Sequence, residues 1–463
     1  CVQFLGRDSN KRTDKYGGSA ENRFRFVENI INKVRAKCGE DFAILVKPSL
    51  FSGTGITIDD GKYYVKRMIE LGVDGIEVMA GAGNKVMPND DDLPFTASRP
   101  MAMAPLAKMY REYARSIFGE DLKTQFIAGG DIRTADVIEN AFANDICDFV
   151  FIGKSCVVEP HFVRLLQEGR DREIHPCIGC YVCASDQLAT GAHCYCSGNG
   201  AMACESHFDL PPAEKVKKVL KRRGHDVTII EKSDKLGGQI HYAMQPLKKD
   251  HFKPLIPYFE ATVEANNIPV IYNTEATVEN IMAMDPDVVI CATGVKPGRL
   301  PVPGIDLPHV LSGKDYLIGK KEVPGKRVVV VGGGDVGCEV AEKLGSEGHE
   351  VTLLEMLDVL APGYMFGNRC VLLHGLHRYN VTQHLGTKCH AIEEDKVIAA
   401  DKIGFRFDIP CDNVVICTGD PADNELYKSL VGMVTEVYNI GDSDTPSNLA
   451  KNHAAAYALA RSI

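Results

Sequence analysis

Short apolar runs alternate with amphipathic stretches through the first 170 residues. The runs Ala43–Lys47, Gly75–Met79, Gln125–Ala128 and Asp148–Ile152 have strand length and end in turn residues. Between them, Ala20–Lys37, Asp60–Leu71, Pro105–Ile117 and Thr134–Ala143 place apolar residues at helical spacing. Such alternation predicts a parallel sheet joined by crossover helices. Four β/α units by themselves make half a barrel, with two open strand edges and an uncovered interior. Four more strands are therefore expected ahead of Cys1. Further along, the all-apolar run Val328–Val331 leads into a glycine turn and a helical pattern, and Glu350–Leu354 follows as another strand. Weaker strand patterns lie at His225–Glu231, Asp285–Ala292, Asp412–Thr418 and Val437–Gly441.

Composition narrows the class. The chain has 463 residues, 45% of them hydrophobic, enough for two to four domains with their own cores. No run of about 18 apolar residues is present, so no membrane-spanning segment is expected. A net charge of −10 without any basic block argues against nucleic acid. The 16 cysteines are clustered or sit singly in apolar runs, unlike a secreted disulfide scaffold, and point to a reducing cytoplasm. The sequence opens at Cys1 with neither Met nor targeting signal, and further chain is expected upstream.

One cysteine group carries chemistry. Cys177, Cys180 and Cys183 stand at C-x2-C-x2-C spacing and Cys196 follows. Three thiolates on one short loop, closed by a fourth from another turn, suit a [4Fe–4S] cluster. A zinc site and unligated thiols are the alternatives, although zinc ribbons more often use two separated C-x2-C pairs. Cys194 and Cys204 compete with Cys196 for the fourth place.

The second chemical motif is Gly332-Gly-Gly334-Asp-Val-Gly337, placed between a buried strand and a helix. With Glu355 closing the next strand, this is a full dinucleotide fingerprint. Glu355 would accept from a ribose 2′-hydroxyl, which favours NADH over NADPH. A related unit precedes it: a strand ending at Glu231, then Gly237-Gly238-Gln239. Its expected glycine loop and helix are missing between Leu220 and Lys221, where a crossover needs about a dozen or more residues. A wide spatial break at Leu220–Lys221 is expected, with a genuine deletion as the alternative.

The stretch Asn10-Lys-Arg12-Thr13-Asp14-Lys-Tyr16-Gly17-Gly18-Ser19-Ala-Glu21-Asn22-Arg23 resembles the signature after the fourth barrel strand of the old yellow enzyme family. The cysteine run and paired nucleotide motifs resemble its iron–sulfur flavoenzyme branch, which includes 2,4-dienoyl-CoA reductase, enoate reductases, bile-acid flavin oxidoreductases and trimethylamine dehydrogenase. The resemblance implies an α/β chain: the C-terminal half of a (β/α)8 FMN barrel over residues 1–170, then a cluster segment over 171–208. An FAD domain of disulfide-reductase type would follow over 209–312 and 410–463, with an NADH domain inserted at 313–409. It implies FMN phosphate contacts at Gly130, Gly153 and Lys154, and Lys47 beside the flavin; Lys47 and Lys154 stand where the family usually has Arg. It implies FAD contacts at Glu231, Gly238, Gln239, Gly294, Gly441 and Asp442. NADH would sit on Gly332, Gly334, Gly337 and Glu355, and the cluster on Cys177, Cys180, Cys183 and Cys196. Electrons would then run from NADH through FAD, cluster and FMN to an activated C=C bond of a small unsaturated substrate. A family proton donor maps near Asn84, which is not His, so no catalytic acid is assigned. The C-x2-C-x2-C-x12-C spacing is closer to the amine dehydrogenases, which are the rival reading; a non-catalytic electron-transfer subunit is the other. A homo-oligomer is left open.

Overall fold

The computed structural model describes residues 2–52, 55–80, 101–184, 195–202 and 225–463. These fall into two compact units, Cys1–Cys156 with Pro160–Ile174, and Val157–Glu159 with His175–Ile463. Asn84, Cys194, Cys204 and the Leu220–Lys221 junction lie outside the described residues.

In the first unit the strands Leu45–Val46, Gly75–Glu77, Gln125–Gly129 and Phe149–Phe151 pair in that order, all parallel. The helices Ala20–Cys38, Ile58–Glu70, Ala104–Phe118 and Ala135–Ala143, the first ahead of the strands and the others between them, sit within a residue or two of their expected positions. Local chemistry sets their ends. Ser19 caps the first helix, and Gly39, at φ +86°, stops it. Thr57 and Asp60 form a capping box on the second. Phe24, Val27, Tyr64, Met68, Ala107 and Tyr110 from these helices bury against Ile76, Phe126 and Ala128 from the strands. The signature stretch is structural. Arg23, almost wholly buried, binds Asp60 at 2.7 Å and the Leu5 carbonyl at 2.7 Å. Asn10 Nδ2 donates to the carbonyls of Phe4 and Tyr16. An additional short strand, Ser49–Phe51, pairs with Met79–Ala80. The pattern hid it because Pro48, which lacks an N–H, separates it from the preceding strand.

The second unit is built on a five-stranded parallel sheet in the order Val310–Ser312, Asn413–Ile416, Arg327–Val331, Glu350–Leu354, Thr382–His384. Val328 and Val330 pack on one face with Cys338, Ala341 and Leu344 of the helix Asp335–Ser346. Val329 and Val331 pack on the other with Val397, Ala399 and Ile409 of an antiparallel meander, Lys388–Ile392, Lys396–Ala400 and Arg406–Pro410. Covering both faces is what a run of four valines requires. The sheet reaches beyond residues 313–409 at both ends. Asn413–Ile416, read from sequence as a return strand of the FAD portion, is held between Val310–Ser312 and Arg327–Val331. Outside it, Val288–Cys291 pairs in parallel with Glu436–Asn439, and Ile229–Ile230 with Val270–Ile271. Among the described residues no helix is long and apolar enough to cross a membrane.

Candidate redox centres

Cys177, Cys180 and Cys183 lie on a loop turned by Gly179 and Tyr181, at φ +61° and +59°. Asn368 Nδ2 donates to the Gly179 carbonyl at 3.0 Å. Cys196 arrives on a second turn, held by Asn199, whose Nδ2 donates to Val157 O at 2.8 Å. A Cβ on Gly198 would meet Val158 Cγ2 at 2.6 Å and the His175 ring at 2.9 Å, so only glycine lets this turn approach. His175 in turn stacks on Tyr258, centroids 4.6 Å apart. Burial pushes the Cys183 thiol up to about 11, with the charges of Cys177, Cys196 and Cys180 adding to it. Cys196 is raised by burial too, opposed by N–H groups of Gly198 and Asn199 that point at its sulfur. The four sulfurs thus share one half-buried, low-dielectric site. Among the described residues no three His, Cys, Asp or Glu side chains converge as they would on one ion. Zinc needs sulfurs about 2.3 Å from a common centre; a four-iron cluster has wider corners. Four cysteine sulfurs sharing one half-buried site are a donor set that a [4Fe–4S] cluster takes.

The fingerprint loop follows the strand Arg327–Val331. A Cβ on Gly337 would lie 1.7 Å from the Gly332 carbonyl oxygen, which fixes helix against turn. Gly332 takes φ +105°. Gly334 is the N-cap of the helix Asp335–Ser346, and its Cβ position meets open space. Free N–H groups at a helix start beside open space fit a pyrophosphate. Glu355, 8% exposed, folds back on the loop: Oε2 accepts from Gly333 N–H at 2.6 Å and Oε1 from Leu357 N–H at 2.7 Å. Gly333, which sequence reading passed over, is needed for this, since its Cβ would lie 2.7 Å from that of Glu355. One turn into the helix, Glu339 accepts from Lys249 at 2.7 Å and from the Tyr364 hydroxyl. Burial, then the Glu339 charge, drives the Tyr364 phenol far upward. Neighbouring Asp335 is raised by burial, while the Gly363 N–H opposes. Nothing in the local sequence signals this network, because Lys249 is remote in the chain.

The residues expected on the FAD side follow the ends of short strands. Gly294 (φ +80°) follows Val288–Cys291, and Gly441 (φ +68°) and Asp442 follow Glu436–Asn439, its parallel neighbour. Ligands in open α/β sheets bind at such carboxyl ends. Asp442 Oδ1 accepts from Ser447 N–H and from Asn452 Nδ2. Glu231, after Ile229–Ile230, takes both the N–H and the hydroxyl of Ser233 on Oε1. Gly238 sits at φ +45° with open space at its Cβ, and Gln239 opens the short helix Ile240–Ala243.

In the barrel unit, Gly130 takes φ +99° after the strand Gln125–Gly129, and Gly153 faces open space after Phe149–Phe151. Asp131, 3% exposed at its side chain, accepts from Arg133 at 2.6 Å and from Lys154 at 3.0 Å. Arg133 and Lys154 thus bring two cationic side chains beside these glycines, which fits a flavin phosphate. Asp131 and Arg133 were missed, although the Gly-Gly-Asp-Ile-Arg run carries them. Lys47 stands at its strand end, paired with Glu77 and 4.8 Å from the Phe151 ring centre.

A model of the NADH:flavin oxidoreductase / NADH oxidase family matches residues 1–173, and one of the pyridine nucleotide-disulphide oxidoreductases matches residues 213–442. An NADH oxidase from Thermoanaerobacter brockii is 30% identical over 470 residues, which cover 95% of this chain and 70% of that protein. A cinnamate reductase from Clostridium sporogenes is 28% identical over 489 residues, covering 100% and 72%. The solved structure of a 2-naphthoyl-CoA reductase with 2-naphthoyl-CoA matches with a TM-score of 0.88 and 27% identity, covering 100% of this chain and 71% of that one. An FMN barrel, a four-cysteine loop and a disulfide-reductase-like half in one chain make it a member of the NADH:flavin oxidoreductase / NADH oxidase family, in its iron–sulfur flavoenzyme branch.

Proposed function

We propose that this oxidoreductase uses NADH to reduce the activated C=C bond of a small enoate, enoyl thioester or enone. The observation that carries the reading is the complete fingerprint loop closed by Glu355, in a chain that also holds the barrel and the four cysteines. A nicotinamide acts here as electron donor. The names of the cinnamate and 2-naphthoyl-CoA reductases support an unsaturated acyl acceptor.

FMN, FAD, a [4Fe–4S] cluster and NAD(P)H are the cofactors of these combined families. When bound, they supply hydride and single-electron chemistry that side chains cannot. The chain's own residues bind and orient. Lys154 and Arg133 hold positive charge where the FMN phosphate would lie, and Lys47 offers a cation for the reduced flavin. Cys177, Cys180, Cys183 and Cys196 would ligate the cluster. Glu231, Gly238, Gln239, Gly294, Gly441 and Asp442 would line the FAD site. The N–H groups after Gly334 would take the NADH pyrophosphate, and Glu355 the adenosine ribose. We assign these functions to the segments expected from sequence, with the NADH sheet reaching from Val310 to Ile416. Cysteines kept as thiolates for a cluster suit a reducing cytoplasm.

The amine dehydrogenase reading draws on the C-x2-C-x2-C-x12-C spacing. The NADH loop opposes it, as does the absence of Trp from the sequence, the best wall for an alkylammonium cage. Anaerobic NADH oxidation separates the readings. It should require an unsaturated acid, thioester or enone and yield the saturated product. Reduction of the enzyme by alkylamines, with no C=C acceptor activity, would reverse the assignment.

A further inference from the structure

Ser197 follows the fourth candidate ligand directly and is 4% exposed. Its Oγ lies 3.0 Å from Cys180 Sγ, so it reaches from the Cys196 turn across to the C-x2-C-x2-C loop. Between a free thiol and a hydroxyl either atom can donate. A cysteine bound to iron is a thiolate with no proton to give. In the loaded protein the hydroxyl must therefore donate and the sulfur accept. Cys180 itself packs beside Ile178, Ile240 and Leu255, in surroundings that shield the contact from water.

Hydrogen bonds to ligand sulfur are among the levers that set a cluster's potential. They strengthen as negative charge accumulates on the sulfur, so they favour the reduced state. We infer that Ser197 is a positioning and tuning residue of the electron-transfer centre: its O–H···S bond to Cys180 orients that ligand and raises the midpoint potential. This rests on reading the four cysteines as ligands of a [4Fe–4S] cluster.

The test uses whole protein purified anaerobically as wild type, Ser197→Ala and Ser197→Thr. Iron and sulfide are counted, and each protein is titrated with dithionite while its EPR signal is followed. Wild type should hold about four irons per chain. Ser197→Ala should keep its iron and titrate at a more negative potential. About a tenfold lower reduced-to-oxidised ratio at fixed potential corresponds to ~59 mV for one electron. Ser197→Thr keeps the hydroxyl and should return toward wild type. A fully loaded Ser197→Ala protein with unchanged potential overturns the inference and leaves the cluster reading intact. If Ser197→Ala loses its iron, a loaded Ser197→Thr with wild-type potential supports the inference, and a Thr variant that behaves like Ala overturns it. Zinc in place of iron in the wild type sinks the cluster reading and the inference together.

Discussion

The barrel unit and the dinucleotide sheet both end parallel strands in a proposed phosphate seat, but they build it from different materials. The barrel uses side-chain charge: Arg133 and Lys154 gathered on a buried Asp131. The dinucleotide sheet uses backbone, a glycine turn with no room for a Cβ at Gly337, which would fall 1.7 Å from the Gly332 carbonyl oxygen, and an open helix start at Gly334. Asp335 at the helix start and Glu355 on the Gly333 N–H, both beside that loop, are negative. Charge can be redistributed by a rotamer change, whereas a backbone cradle fails when one atom is added. The two seats should therefore break differently.

The largest effect is expected in the backbone seat. Gly337→Ala sets a methyl against the Gly332 carbonyl, with Cys417 Cβ behind it. NADH kcat/KM should drop about 100-fold or more, ~2.7 kcal/mol, while flavin content of the barrel stays at wild-type level by absorbance after denaturation. An unchanged kcat/KM would show that nucleotide does not use this loop.

In the charged seat, loss of one partner should cost stability before binding. Asp131→Ala removes the buried carboxylate that Arg133 and Lys154 share. Breaking a buried pair costs about 3 kcal/mol, to be read from urea unfolding of the barrel signal. FMN should still bind, because the net charge at the seat rises. A variant as stable as wild type would mean that Asp131 is not the residue holding these cations.

Nucleotide choice gives a smaller change. Glu355→Gln keeps one acceptor for two backbone N–H groups and removes the charge that would repel a 2′-phosphate. The NADH-to-NADPH ratio of kcat/KM should narrow about tenfold, ~1.4 kcal/mol. A ratio that does not move would place discrimination elsewhere.

The smallest effect concerns Asp335. Burial raises its pKa above the ordinary carboxylate value, with Glu339 adding to the shift and Lys249 and the Gly363 N–H opposing it. A raised carboxylate pKa means that the charged form is penalised in the fold. That penalty is absent below the unfolded pKa and fully present above the folded one. Asp335→Asn keeps the Gly363 bond and should raise Tm at pH 7 by up to ~2 °C. The gain should shrink as pH falls toward 4. A gain independent of pH would trace to something other than this charge.

Much of the architecture was legible because its signals are local. Strand and helix periods placed the barrel elements, and caps such as Ser19 and the Thr57–Asp60 box fixed their ends. The glycine fingerprint and the C-x2-C-x2-C spacing were legible as candidate centres, since each motif is a short local solution to a backbone or ligand problem. Charge partners were less legible. Lys47 and Lys154 were read as cations for a flavin, and the structure adds their carboxylate partners, Glu77 and Asp131.

What the sequence determined by itself, then, is the order of the segments, the parallel pairing of β/α units and the residue types able to hold nucleotide and iron, all governed by periods and spacings of a few residues. Tertiary structure decided the remainder. It made Asn413–Ile416 an inner strand of the five-stranded sheet, folded Glu355 back onto Gly333, set Ser197 against Cys180 and joined Lys249 to Glu339. Each of these joins atoms distant in sequence within an interior where an unpaired polar group is costly, and no local pattern records which distant partner satisfies it.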